Sequence, residues 1–386
     1  MEEVNAPLKF NYGRLPDRAG FEEMVRLNVD FSTSPGYPYS LQHHSNGDYF
    51  GWDPITETFD PDRMDAAYLR FKGRAASYEE GGEGDPIKLF IKPEPHKVKK
   101  ALEGAWRMIS SVSIIDNLLI WVAYGSYFRN VIANWNKVPA KAGWTPQRGG
   151  YKWITRLFDE THCADKSSWD WTVHDYIMDI LYDHYDDLAQ NSAPEWLPGL
   201  WNHLFKNNVF ENHGHIFRLR TKGVMKSGIM GTIFFNCDGQ LVIHILSLLR
   251  TYTYKVARSK ADDIATLGDD TVQDAESDAY FEQLGKTGII LKQIDRYTKG
   301  VVEFAGHVMR PNSSIPAYRS KHLYTLLHLE PESAAETLES YQFLYTFEPR
   351  MLSLIRDMLR EVNPEAVRSD RFLRSWYEKV ESRIPR

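Results

Sequence analysis

The sequence predicts a mixed α/β fold with an antiparallel sheet in the middle of the chain and a helical tail. Three observations carry this. Short apolar runs bounded by turn residues (87–91, 264–267) read as strands. Two long apolar stretches, 114–135 and 232–258, read as helices, the first largely buried. From 321 to 386 the pattern is helical throughout, broken near Pro331, Pro349 and Pro364.

The elements follow in order. Residues 61–78 form a helix, 79–86 (EEGGEGDP) a flexible loop, and 106–110 a strand. A short strand at 161–165 leads into a helix over 172–190, and Pro194 and Pro198 open the next helical region. A hairpin spans 210–219 with its turn at 212–215. Strands 264–267 and 271–273 flank a tight Gly-Asp-Asp turn. A helix over 278–287, an edge strand at 289–292 and a strand pair over 301–309 complete the middle. There is no internal repeat and no low-complexity tract.

With 386 residues, 42% hydrophobic and 13% aromatic, the chain can build a sizeable core and more than one subdomain. No stretch reads as long and apolar enough to span a bilayer. Residues 1–10 carry two glutamates and no apolar centre, unlike a secretory signal. The two cysteines, Cys163 and Cys237, make no disulfide framework and suit a reducing compartment. His203, His213 and His215 lack nearby cysteines and read as surface or turn residues rather than zinc ligands. Trp121, Trp135, Trp153, Trp196 and Trp201 read as core. The net charge of −6 shifts attention from overall charge to local tracks.

Three pieces carry chemistry. In Leu267-Gly268-Asp269-Asp270-Thr271, a hairpin turn would push two carboxylates to one end of a sheet. Adjacent like charges are costly unless solvated or met by a cation. Alone, this tripeptide is as readily an Asp-rich turn. In Asp165-Lys166-Ser167-Ser168-Trp169-Asp170, one Asp ends a strand and another opens a helix, where it also suits an N-cap. Asp165 with Asp269 would complete a two-metal site. In the run Ser227-Gly228 to Thr232 and Asn236, a small-residue loop enters a helix, and Thr232 and Asn236, four apart, share a face.

In this order the pieces resemble motifs A (DxxxxD), B (SGxxxTxxxN) and C (GDD) of viral RNA-dependent RNA polymerases. The resemblance implies a right-hand polymerase fold with an antiparallel palm sheet, fingers and a small helical thumb. It implies fingers at 1–158 and 191–226, palm at 159–190 and 227–310, and thumb at 311–386. It further implies Asp165 and Asp269 as metal ligands with Asp270 in support. Asp170, Ser227, Gly228, Thr232 and Asn236 would then surround the nucleotide and read its ribose 2′-hydroxyl, the group separating RNA from DNA precursors. The implied cofactor is Mg²⁺, with Mn²⁺ as a substitute.

Between 88 and 107, Lys88, Lys92, Lys97, Lys99, Lys100 and Arg107 face only Glu94 and Glu103, a positive field suited to a triphosphate. The stretch from Lys92-Pro93-Glu94-Pro95-His96-Lys97 to Trp106-Arg107 resembles motif F in its sobemovirus and polerovirus form, which implies Lys92, Lys100 and Arg107 as triphosphate contacts. Residues 33–39 resemble motif G, a template guide, with Ser34, Gly36, Tyr37 and Pro38 toward RNA. Tyr37 and Tyr39 serve equally as base-stacking faces or structural props. Lys292 is the motif D candidate for general acid toward pyrophosphate, with Arg296 and Lys299 as alternatives; 303–307 resembles motif E. The implied activity is template-directed nucleotidyl transfer in replication and transcription of a positive-strand RNA virus. The implied partners are an RNA template and nascent strand, NTPs, a genome-linked protein as primer and other viral replication proteins. The implied place is the host cytoplasm, at membrane-associated replication complexes. A reverse transcriptase and a non-catalytic RNA-binding protein on a polymerase scaffold stand as alternatives.

Overall fold

Alternation of buried and exposed residues places one strand, Thr161–Ser167, inside a four-stranded antiparallel sheet: Ala164 and Lys166 face inward while Asp165 faces out. In this computed structural model, which describes residues 1–379, the sheet runs in the order Ile290–Tyr297, Thr161–Ser167, Asp270–Asp274, Ile264–Leu267. The helix Thr232–Thr251 packs behind it, against Ile264–Leu267 and the helices Asp175–Leu188 and Asp278–Gly285. A second sheet takes Met108–Ser111, Ile87–Ile91, Val209–Asn212 and His215–Arg218 in that order. Its middle pair is parallel, so the hairpin predicted near 210–219 joins a strand more than a hundred residues upstream. A third, three-stranded sheet holds Val302–Phe304, His307–Arg310 and Ser313–Pro316.

The main core lies between the long helices and is aromatic. Tyr124 and Tyr185 stack edge and face around Trp201 and Phe235. Two tyrosine hydroxyls, Tyr127 and Tyr185, donate to buried Asp238 at 2.7 and 2.8 Å, which satisfies a carboxyl that burial raises to about 6.

The mixed α/β class stands, and the departures have local causes. The apolar run from 232 does not stay helical to 258. It ends at Thr251, Tyr252 turns extended, and a separate helix covers Tyr254–Ser259. Helix Thr232–Thr251 is long and apolar enough to cross a membrane by length and composition, correcting the expectation that no stretch is; 72% of its apolar window is buried against the rest of the protein. The edge strand expected at 289–292 runs from Ile290 to Tyr297, and Ser313–Pro316 adds an unforeseen strand. The 79–86 loop is pinned rather than free. Asp85 pairs with Arg74 at 2.7 Å and Glu83 with Arg218 at 2.6 Å. His203, expected at the surface or in a turn, is instead buried because it bridges the loop, accepting from Gly84 N at 3.2 Å and lying 3.0 Å from the Asp85 carbonyl. His213 and His215 are exposed on the hairpin, as expected. Trp135, Trp196 and Trp201 are core, whereas Trp121 and Trp153 are half-buried. The tail is helical over Arg319–Leu327, Pro331–Leu344, Pro349–Val362 and Asp370–Glu378; residues 380–386 of the expected helical tail lie outside the described part.

Candidate active site

Leu267 and Asp270 pair across a two-residue turn, Gly268-Asp269. Gly268 has φ +64° and Asp269 does not share a positive φ, the pattern of a type II′ turn that needs glycine first. The turn lifts Asp269 and Asp270 to the end of the sheet. Thr161 pairs with Asp274 and Cys163 with Val272, so the same register carried on sets Asp165 beside Asp270. Asp165, Asp269 and Asp270 therefore line one cleft of about 130 Å³, together with Lys166, Asp295, Glu303 and Tyr318. Asp270 stands open to the cleft, yet protein crowds it on enough sides that burial, then the Asp269 charge, raises its carboxyl to about 6. The turn is held from behind: Gly268 N donates to Cys237 Sγ at 3.3 Å, and Gln240 reaches the Asp269 carbonyl at 3.4 Å.

Two lysines offset this negative charge. A bulge between Leu291 and Gln293 aims Lys292, whose ammonium donates to Asp165. Of the three basic residues considered for general acid, Lys292 alone meets the cleft carboxylates; Arg296 pairs with Asp278 and Lys299 with Asp159. Lys166 comes from below. It is buried and donates to Thr271 Oγ1 at 2.9 Å and the Ala164 carbonyl at 3.2 Å. Burial draws its ammonium down to about 8, against the opposing pull of Asp269, Asp270 and Asp165. Sequence reasoning missed Lys166, because a lysine defaults to the surface.

Beside the cleft lies a polar wall. Asp170 is the second residue of the short helix Trp169–Thr172, whose N-cap is Ser168 rather than the expected Asp170; burial with the Asp269 charge raises its carboxyl to about 6, while Arg107 pulls the other way. Asn236 accepts from the Trp169 indole at 2.8 Å, which ties its amide to the residue before Asp170. Thr232 begins the same helix, and its buried hydroxyl has no protein partner. Ser227 Oγ accepts from Ser110 N at 3.0 Å and Gly228 N donates to Ser110 O at 3.0 Å. A Cβ at Gly228 would lie 2.6 Å from that carbonyl oxygen, so only glycine permits the approach. The Ser227-Gly228 turn is thereby stapled to the strand that follows Arg107.

The basic segment contains an unforeseen helix, Val98–Leu102, that carries Lys100 outward. Glu94 draws three cations together: Lys92 at 3.2 Å, Arg107 at 3.3 Å and Lys321 of the tail at 3.4 Å. Its own burial would raise the carboxyl, but these partners hold it below the ordinary range. In the 33–39 loop, Ser34 is exposed, Gly36 buried, and Tyr37 and Pro38 half-buried. Tyr39 packs on Tyr49 with ring centroids 4.9 Å apart, a prop, while Pro35 O accepts from Ile114 N at 2.8 Å.

No protein-family model matches the chain. It is 26% identical over 383 residues to "Protein P1-P2" of Potato leafroll virus, covering 88% of this chain and 33% of that protein. It is 28% identical over 276 residues to "Replicase polyprotein P2AB" of Southern cowpea mosaic virus, covering 67% of this chain and 27% of the relative. To the protein of the same name from Southern bean mosaic virus it is 29% identical over 265 residues, 63% of this chain and 26% of the relative. The chain spans a third or less of the length of these curated relatives. Along much of its length the chain is thus similar to a polerovirus P1-P2 protein and to sobemovirus replicase polyproteins.

Proposed function

We propose that the chain is an RNA-directed RNA polymerase whose reaction takes place over Asp165, Asp269 and Asp270. The carrying observation is that carboxylates more than a hundred positions apart line one cleft, with Asp170 near enough to feel the Asp269 charge. In this reading the four-stranded sheet is the palm of a right hand. The fingers are 1–158 and 191–226, the palm 159–190 and 227–310, and the thumb 311–386.

The donor set suits Mg²⁺, with Mn²⁺ as a substitute: carboxylate oxygens at the rim of a solvent-open cleft, offset only by lysines. Among the described residues no three His, Cys, Asp or Glu side chains form a ready-made cage. An ion that takes one or two carboxylates plus water and phosphate oxygens does not require one. Asp165 and Asp269 would hold the ions, with Asp270 in support. When bound, they would lower the pKa of the attacking 3′-hydroxyl and neutralise charge on the leaving pyrophosphate.

The chain's own groups do the rest. Lys92, Lys100 and Arg107 attract and orient the triphosphate. Asp170 and Asn236 meet the ribose hydroxyls, and Thr232 and Ser227 shape the same wall. Lys292, which the bulge aims at Asp165, would give a proton to pyrophosphate. Ser34, Gly36, Tyr37 and Pro38 border the template path. The partners are an RNA template and nascent strand, NTPs, a genome-linked protein primer and other viral replication proteins. The site of action is the host cytoplasm, at membrane-associated complexes.

Primer extension on an RNA template, with NTPs or dNTPs and with or without EDTA, tests this reading. Synthesis from NTPs that EDTA stops and Mg²⁺ restores is expected; dNTP use instead would make it a reverse transcriptase, and no synthesis a binding scaffold. Asp170→Ala is expected to cut the preference for NTP over dNTP roughly 10- to 100-fold, the worth of one hydrogen bond to a charged group. An unchanged ratio of kcat/KM values would remove Asp170 from ribose recognition. Glu94→Gln releases Lys92 and Arg107 from a competing carboxylate. The KM for NTP is expected to fall about two- to fivefold at low salt, and less at high salt, as partly exposed ion pairs of this kind dictate. Equal KM values at both salt concentrations would show that Glu94 does not compete with the triphosphate.

A further inference from the structure

One charged side chain near the site is wholly enclosed. Lys226 immediately precedes Ser227 and is 0% exposed. Its ammonium donates to Asn208 Oδ1, to Gly223 O at 3.1 Å and to Val224 O at 2.8 Å. It lies over the Phe205 and Phe210 rings, 5.3 and 5.8 Å from their centroids. Burial lowers its pKa well below the ordinary lysine value. A leucine or methionine would fill such an apolar pocket without that desolvation cost. What an aliphatic chain would lack is the bonds to the backbone.

Those bonds converge on an unusual stretch. Asn208, Gly223 and Val224 all have positive φ, +48°, +86° and +62°. For a β-branched valine this conformation is strained and persists only where its surroundings enforce it. The ammonium binds the carbonyls of Gly223 and of the strained Val224. The amides that follow are fixed in turn: Val224 N to Val173 O at 2.7 Å and Met225 N to Asp170 O at 2.8 Å. Ser227 and Gly228 then clip to Ser110. One enclosed amine thus underlies the backbone joining the Asp170 helix, the strand after Arg107 and the Ser227-Gly228 turn.

We infer that Lys226 is a positioning residue which, by holding the 223–228 loop in its strained form, sets the distance between Asp170 and the Ser227–Asn236 wall and so the discrimination between ribo- and deoxyribonucleotides. This rests on the polymerase reading above. Lys226 touches no substrate; it acts through the loop.

The test uses the full chain, with kcat/KM measured separately for ATP and dATP on one primed RNA template. Lys226→Met is expected to lower the ATP/dATP ratio about tenfold, as when a buried hydrogen-bonded anchor is lost. A merely structural role would lower both rates together and leave the ratio unchanged. Asn208→Ala keeps the lysine and its apolar surroundings but removes one acceptor, along with the amide's bond to Thr221 O at 2.7 Å, and should move the ratio the same way about threefold. If Lys226→Met does not fold, as read by circular dichroism, Asn208→Ala decides: an unchanged ratio there overturns the inference. A wild-type chain that incorporates neither nucleotide overturns the polymerase reading, and this inference with it. A wild-type chain that polymerises, with ratios unmoved in the folded variants, overturns the inference alone.

Discussion

Replacing Asp165 or Asp269 with alanine is expected to lower nucleotide incorporation roughly 10³-fold or more, the several kcal/mol of charge stabilisation that bound metal supplies in phosphoryl transfer. The fold should survive both changes. Asp165 is half open to solvent and its partner Lys292 more so, so removing the carboxylate strands no buried charge. Asp269 sits at the tip of a two-residue turn whose φ requirement falls on Gly268, so its side chain is dispensable to the hairpin. Thermal unfolding should therefore move little. RNA affinity, read by fluorescence anisotropy, should hold within a few-fold, because the proposed phosphate contacts are basic residues elsewhere. Mg²⁺-dependent synthesis at near wild-type rate by either variant would refute the metal assignment. Asp270→Ala is expected to be milder: it occupies the first position of the returning strand, and the register puts it beside Asp165 as a second contributor.

Much of this site could be read in the sequence because its pieces are local. Gly268 before two aspartates specifies a hairpin tip, and Thr232 with Asn236 specifies one helix face; neither needs the rest of the chain. Strand Ile87–Ile91 and helix Ile114–Asn134 were legible for the same reason, since apolar periodicity marks them directly. What escaped was set by partners distant in sequence. The Ile290–Tyr297 strand alternates poorly because it lies at the sheet edge and pairs on one side only, so Gln293, Asp295 and Arg296 are tolerated there. The break after Thr251 follows weak helix formers, with Tyr252 leaving the helix to donate to Glu276 at 2.6 Å. Lys166 and Lys226 were invisible for a related reason. Lys166 meets the Thr271 hydroxyl and Lys226 the Asn208 amide oxygen, acceptors from other segments, and no periodicity encodes that.

Lysines and arginines enclosed in this way tie the chain together as well as shaping the site, and the strongest case lies away from the cleft. Arg74→Met is expected to destabilise the protein by about 3–5 kcal/mol, the usual cost of removing one partner from a buried ion pair. Asp116 is fully buried in the long helix Ile114–Asn134 and accepts from Arg74 at 2.8 and 3.0 Å, Tyr78 at 2.7 Å and Ser113 at 2.8 Å. Arg74 also holds Asp85, whose carboxyl burial raises and Arg74 lowers. Without the guanidinium, two enclosed carboxylates face each other with hydroxyls as their remaining donors. The loss should spread along the chain, because Asp85 leads directly into the Ile87–Ile91 strand beside Met108–Ser111, and Ser110 clips the Ser227-Gly228 turn. Denaturant unfolding followed by circular dichroism reads the first effect. Nucleotide KM, measured where the variant is still folded, reads the second and should rise. The double variant Arg74→Met, Asp116→Leu removes the stranded charge at its centre and should recover part of the stability. A double variant no more stable than Arg74→Met would mean that the arginine's packing, rather than the unpaired carboxylate, was what the fold had lost.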